Sequence, residues 1–258
     1  MDKAILVEID GAIAIVTMNR PERRNSMLVS MVIEMAGILG KLAKNDAIRV
    51  LILRGAGHDF CPGADLGVTA SGEPTGTRAM VPEDYLTPVL LHEMPAITIA
   101  AIEGACAGAG LGWALGCDLR FASPSARFNT AFLDVGVAGD MGGPWSLSRI
   151  VGPAKARELY FLPGKFDAAE AHRIGLVSRV FSDATIQGDV RAIAERLAAS
   201  APLALKAMKA HFVAAESMSF REFVLKEAEK HMALFRTQDT MEAFRAKVEK
   251  RLPKFEGR

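Results

Sequence analysis

Apolar residues recur with two different periods along this chain, and the change of period divides it. Residues 5–9 and 13–18 are two short apolar runs separated by Asp10-Gly11, a pair that favours a tight hairpin turn. Leu28, Met31, Val32, Met35, Ile38, Leu39 and Leu42 then follow three-and-four spacing, which predicts an amphipathic helix capped by Asn25 or Ser26. A strand is predicted at 48–53, and a further apolar run at 97–102 reads the same way. Two strands, a helix and another strand open a ββα arrangement of α/β class. Residues 67–82, rich in Gly, Ser, Thr and Pro, carry no apolar period and are expected to be a loop. From Ala184 the pattern turns to helix after helix, with 185–199 followed by Ser200-Ala201-Pro202, a proline placed to start the next helix. Amphipathic helices are predicted at 220–235 and 240–251.

Two glycine-rich segments stand out against this background. Phe60-Cys61-Pro62-Gly63-Ala64-Asp65-Leu66 and the stretch 104–112 each follow an apolar, strand-like run. Small residues let a ligand approach the main chain closely, and two amide donors from separate loops are what a developing oxyanion requires. Composition narrows the setting. The 258 residues are half hydrophobic, enough for a large core, and a net charge of +1 argues against a nucleic-acid surface. Cys61, Cys106 and Cys117 have neither metal-site nor disulfide-framework spacing, and the five histidines form no ligand pattern, so no metal is expected. The start of the chain lacks a signal-peptide core. The stretch 94–117, with Glu103 and five glycines, reads as strand, turn and buried helix rather than a membrane span. A cytoplasmic protein is expected.

The motifs that carry a resemblance run almost end to end. They are Thr17-Met18-Asn19-Arg20-Pro21-Glu22, Arg24-Asn25, the segment from Phe60 to Leu66, that from Gly104 to Gly110, Gly116-Cys117-Asp118-Leu119-Arg120, Ala126-Arg127-Phe128, Gly175-Leu176-Val177-Ser178-Arg179-Val180 and the closing Glu249-Lys250-Arg251-Leu252-Pro253-Lys254-Phe255. Together they resemble the crotonase superfamily, the enoyl-CoA hydratase/isomerase group. The resemblance implies a spiral of ββα units over residues 1–195 that binds an acyl-CoA. It also implies a C-terminal helical region, 196–258, that packs subunits into homotrimers or hexamers. Coenzyme A would enter as part of the thioester substrate, with no tightly bound cofactor, and neither nucleic acid nor membrane is an expected partner. The resemblance makes the backbone N–H groups of Ala64 and Ala109 the oxyanion donors, with Asp65, Leu66 and Gly108 beside them in the substrate site. It places Arg24 and Lys250 at the coenzyme phosphates. Phe244 lies one helical turn behind Lys247, which stands where an adenine-stacking aromatic is usual.

The departures from the family pattern are as informative. The two glutamates with which hydratases activate water align with Gly112 and Phe132, neither of which can move a proton. One acid does fall at a position other members use: Asp140, which aligns with the aspartate of dienoyl-CoA isomerases and of related acyl-CoA isomerases. A lone carboxylate suits a proton shuttle between two carbons of an enolised thioester. If Phe132, Met141 and Trp145 surround it, desolvation should raise its proton affinity. The competing reading makes Asp140 a helix N-cap before Gly142-Gly143-Pro144. Asp134 is the other nearby acid. Hydration at a single-carboxylate site, nucleophilic attack by Asp140 in a hydrolase or dehalogenase mode, and a catalytically inert CoA-binding protein all stay open. Trp113 and Phe132, with Met141 and Trp145, are either a bulky apolar substrate pocket or plain core.

Overall fold

The computed structural model describes residues 3–72, 76 and 78–258. The hairpin forms as expected: β1 (Ile5–Asp10) pairs antiparallel with β2 (Ile13–Met18), and Gly11 takes the positive φ the turn requires. Helix α1 (Val29–Leu42) leads to β3 (Val50–Gly55). After α2 (Leu66–Ser71) and α3 (Thr87–Glu93) come β4 (Ile97–Ile102), β5 (Ala105–Ala107), α4 (Gly108–Gly116), β6 (Leu119–Ala122) and β7 (Arg127–Asn129). Then follow α5 (Gly143–Val151), α6 (Pro153–Phe161), β8 (Phe166–Asp167), α7 (Ala168–Arg173), β9 (Arg179–Val180) and four helices, α8 (Ile186–Ala198), α9 (Pro202–Ala215), α10 (Phe220–Leu234) and α11 (Gln238–Glu249). None of the helices is long and apolar enough to cross a membrane, among the described residues.

The strands form two sheets. One has the order β1-β2-β3-β4-β6-β9, parallel from β2 onward; the other has the order β5-β7-β8. Successive turns of chain add a strand to each, which makes the spiral. Period-two alternation sorts the large sheet's side chains. Ala14, Val16, Leu51, Leu53, Ala100 and Ile102 face a core shared with α1 and α4, while Ile13, Ile15, Val50, Ile52, Ile99 and Ala101 face α8. Both faces are covered, so the strands read as unbroken apolar runs.

Two local expectations are corrected. Neither Asn25 nor Ser26 caps α1, whose N-cap is Leu28 without a side-chain bond. Asn25 instead adopts φ 63 and spans Arg20 N, Ala56 O and Asp59 O, and Ser26 donates to Asp65. Of the loop expected over 67–82, residues through Ser71 are helical and Pro82–Leu86 form a 3-10 turn, while 73–75 and 77 lie outside the described residues.

Helix α9 is fastened to the spiral by a buried cation. Lys209 Nζ donates to Leu91 O at 2.9 Å and Ala96 O at 2.8 Å and pairs with Asp118 Oδ2 at 2.8 Å. Asp118 in turn accepts from Thr98 N. Lys209→Ala would strand a carboxylate and two carbonyls, so it is expected to cost about 3–5 kcal/mol of unfolding free energy in a urea titration. An unchanged midpoint would mean that apolar contacts alone hold the helix.

Candidate active site

A short ladder brings the two glycine-rich loops together. Cys61 N donates to Ala105 O at 2.7 Å and Ala107 N to Cys61 O at 3.0 Å, so Cys61 and Cys106 pair as an isolated parallel bridge. Gly110, in the first turn of α4, then lies directly on Cys61: an added Cβ would meet Cys61 O at 2.3 Å. On the other side Met27 bridges to Ala64, with Met27 N donating to Gly63 O and Asp65 N to Met27 O. This pairing uses the peptide groups on either side of Ala64 and leaves the Ala64 N–H unspent. Ala109 is the second residue of α4, so its N–H is one of the donors that a helix start cannot satisfy internally. A Cβ built on Gly63 would stand 3.5 Å from Ala109 N, so the residue before Ala64 lies against the start of α4.

Both alanines line one cavity of about 640 Å³, together with Asp65, Asp140, Met141 and the apolar side chains of Met27, Val32, Val68 and Met80. Asp65 does not face the reaction space as a free acid. It accepts from Arg20 Nη2, Ser26 Oγ and the Val68 amide, capping α2. Burial alone would raise its proton affinity, but those three donors prevail and hold its carboxyl below the usual range. Arg20 also binds Ser26 O at 2.6 Å. The network braces the segment that carries Ala64.

Asp140 differs in every respect. The helix-cap reading fails: the N-cap of α5 is Gly142, and no side chain caps it. Asp140 Oδ1 is buried with no hydrogen-bond partner. Burial pushes its carboxyl up to about 6, against the opposing effect of its own backbone N–H. The next residue, Met141, holds φ 49, a left-handed conformation unusual for a methionine and a common mark of functional loops. That turn drives the Met141 side chain against Gly112, where an added Cβ would meet Met141 Cβ at 2.5 Å. Where a hydratase would carry its first glutamate there is therefore no room for any side chain. The position of the second, Phe132, is taken up by a ring stacked on Tyr160.

The remaining candidates disperse. Gly108 adopts φ 51 and starts α4 beside Gly63. Leu66 is 57% exposed and Asp134 is exposed, neither lining the cavity. Trp113 is 0% exposed, a core residue rather than a substrate contact. Trp145 does not wall Asp140; it packs edge-on to His92 and beneath the Arg149 guanidinium in a separate cavity. Tyr160 stands nearest that role and was not legible as a site residue, because it lies on a helix twenty positions away. Arg24 is exposed and bound twice by Asp59, at 2.9 and 3.0 Å, leaving Nη1 without a partner among the described residues. Phe244 packs against Phe235, and Lys250 ends α11 in a left-handed conformation; both lie outside the cavity.

Two unspent amides beside an unneutralised, poorly solvated carboxylate can hold an enolate and move a proton. The comparisons with known proteins give the family. The enoyl-CoA hydratase/isomerase family pattern matches residues 8–258. The chain is 34% identical, over 263 residues spanning all of both proteins, to 1,2-epoxyphenylacetyl-CoA isomerase of Escherichia coli (strain K12). It is 34% identical to (E)-benzylidenesuccinyl-CoA hydratase of Thauera aromatica, covering 98% of this chain and 99% of that one. A crystal structure of an enoyl-CoA hydratase from Bacillus anthracis superposes with a TM-score of 0.90 at 27% identity, over 99% of this chain and 100% of that one. The chain belongs to the enoyl-CoA hydratase/isomerase family of acyl-CoA enzymes and has the crotonase fold.

Proposed function

We propose that the protein is an acyl-CoA isomerase: it removes a proton from one carbon of a thioester and returns it to another, with Asp140 as the acid/base. The observation that carries this reading is the lone carboxyl of Asp140, which lines the same cavity as the Ala64 and Ala109 amides and has no neutralising partner. The other charged groups of that wall, Asp65 and Arg78, are spent on Arg20 and Asp84. The two amides accept the thioester oxygen as negative charge develops on it, and the positive end of α4 adds to their effect. Ionised Asp140 takes the proton; desolvation has already brought its affinity near that of a useful base. The filled space at Gly112 and the ring at Phe132 leave no second carboxylate to activate a water, which supports isomerisation over hydration. Arg24, with Nη1 left over from its pair with Asp59, is a ligand for a coenzyme phosphate. Phe212, Phe220, Leu225 and Val248 leave large apolar surfaces open on the C-terminal helices, which supports burial between subunits of a homotrimer or a pair of trimers.

Deuterium wash-in from D₂O tests the chemistry with a panel of acyl- and enoyl-CoAs. Exchange at the α or γ carbon is expected in the parent protein, with kcat/KM rising as pH passes through about 6. Asp140→Asn should lower the exchange rate by about 10²–10⁴-fold. Exchange that survives this substitution would refute the assignment.

The same residue should cost stability. Folding raises the Asp140 pKa from its ordinary 3.8 to about 6. The neutral acid is thus favoured by folding below the ordinary value, and that contribution is lost as pH rises through the folded one. Since water still reaches part of the carboxyl, the penalty at pH 8 is on the order of 1 kcal/mol. Asp140→Asn is therefore expected to melt about 2–4 °C higher than the parent at pH 8, an advantage that shrinks towards pH 4. A variant no more stable at pH 8 would show the carboxyl to be well solvated. Sedimentation equilibrium should report three or six copies; a monomer at micromolar concentration would exclude the proposed assembly.

A further inference from the structure

Asp140 is bracketed by two glycines whose identity its own backbone does not explain, since neither Gly139 nor Gly143 has a positive φ. Their reason is a neighbour. A Cβ on Gly139 would lie 2.7 Å from Tyr160 Cε1, and one on Gly143 would lie 1.9 Å from Tyr160 Oη. Both distances are far inside van der Waals contact, so the loop carrying Asp140 lies tight against Tyr160 of α6, Gly139 at the ring and Gly143 at the hydroxyl end. The ring of Phe132 is parallel to it, with an interplanar angle of 4° and centroids 6.1 Å apart. Beyond lies a second cavity of about 400 Å³, lined by apolar groups that include Phe132, Ala138, Gly139, Pro144, Tyr160 and Phe161. Residues 138–140 thus form a partition, with the cavity of the two amides on one side and this apolar cavity on the other.

We propose that Tyr160 is a positioning residue for Asp140: the bulk of its ring sets the height of the 139–143 loop and keeps water off the back of the carboxylate. The inference rests on reading Asp140 as the working acid, and it assigns the task to the ring. The phenol oxygen makes no hydrogen bond to Asp140, whose Oδ1 has no partner. The phenol itself stays protonated, its affinity raised by burial first and by the charge of Asp140 second. It therefore adds no charge of its own. No charged group on the surrounding elements contributes to the shift of the Asp140 carboxyl. Asp65 and Arg78 sit across the cavity in ion pairs, Arg149 of α5 covers Trp145, Arg157 of α6 lines the second cavity, and Asp134 is exposed. Exclusion of water is the remaining cause of a weakly acidic carboxyl here, and Tyr160 is the side chain against the loop that carries it.

The test reads Asp140 directly, without relying on turnover. The full-length protein carrying ¹³C-carboxyl aspartate is titrated by NMR, with the Asp140 resonance assigned by its loss in Asp140→Asn. The parent midpoint is expected near 6. Tyr160→Phe, which keeps the ring, should leave it in place. Tyr160→Ala, which opens the second cavity onto the carboxylate, should lower it by about one unit or more, and the acid limb of the deuterium-exchange profile should move with it. If Tyr160→Ala does not fold, Tyr160→Leu serves in its place, because it keeps an apolar side chain of smaller bulk, and a downward shift is again expected. A midpoint unmoved in the Ala or Leu variant overturns the proposal. So does a Phe variant that shifts as far as Ala, since the hydroxyl would then be the active part. A shifted midpoint together with exchange that survives Asp140→Asn would leave the positioning role standing while removing the isomerase reading.

Discussion

The chain's chemistry depends on how one short ladder of backbone hydrogen bonds is drawn. Met27, Cys61 and Cys106 stitch three distant segments together, and their pairing consumes the peptide groups on either side of Ala64 while passing over its own N–H. The start of α4 leaves the Ala109 N–H unspent for a different reason, the absence of a preceding turn. Leaving main-chain donors unpaired in a partly enclosed site is costly, and the fold sustains it with rigid surroundings. Asp65, Arg20 and Ser26 lock the segment around Ala64, and Gly110 seats the helix on Cys61 without a gap. Donors held in place beforehand need no reorganisation when negative charge appears, which is where such sites draw their effect.

The acid is placed by a contrasting arrangement. Asp65 is satisfied by three donors and stays a strong acid; Asp140, lining the same cavity, has a buried oxygen with no partner and binds its proton more tightly. Two carboxylates in one cavity thus differ in proton affinity because one is solvated by protein donors and the other is half-buried without them. The left-handed Met141 and the glycines on either side belong to the same device. They let the loop press between α4 and α6, and in doing so Met141 occupies the room that a carboxylate at position 112 would need. The filled space at Gly112 and the placement of Asp140 are consequences of a single packing event.

Period and composition carried most of the architecture. The hairpin at Asp10-Gly11, the strand Ile97–Ile102 and the run of helices after Ala184 follow from alternation, turn chemistry and amphipathic spacing, which are local properties. Misreadings arose where a polar residue had two possible employers. Asn25 and Ser26 have the right chemistry for a helix cap, but they serve the loop of Asp59 and Asp65 instead, more than thirty residues away. Trp145 follows Asp140 closely along the chain, yet helix α5 turns it onto His92 and Arg149.

What the sequence alone determined was therefore the α/β class, the presence of two small-residue loops, and Gly112 and Phe132 where hydratase glutamates would align. Only the tertiary structure decided that Asp140 is not a cap, that Trp113 belongs to the core, and that Tyr160 stands behind the carboxylate. Residue type and spacing specify which face of an element is apolar. They do not specify the rotation and depth at which two distant elements meet, and a carboxyl's solvation is set by that meeting.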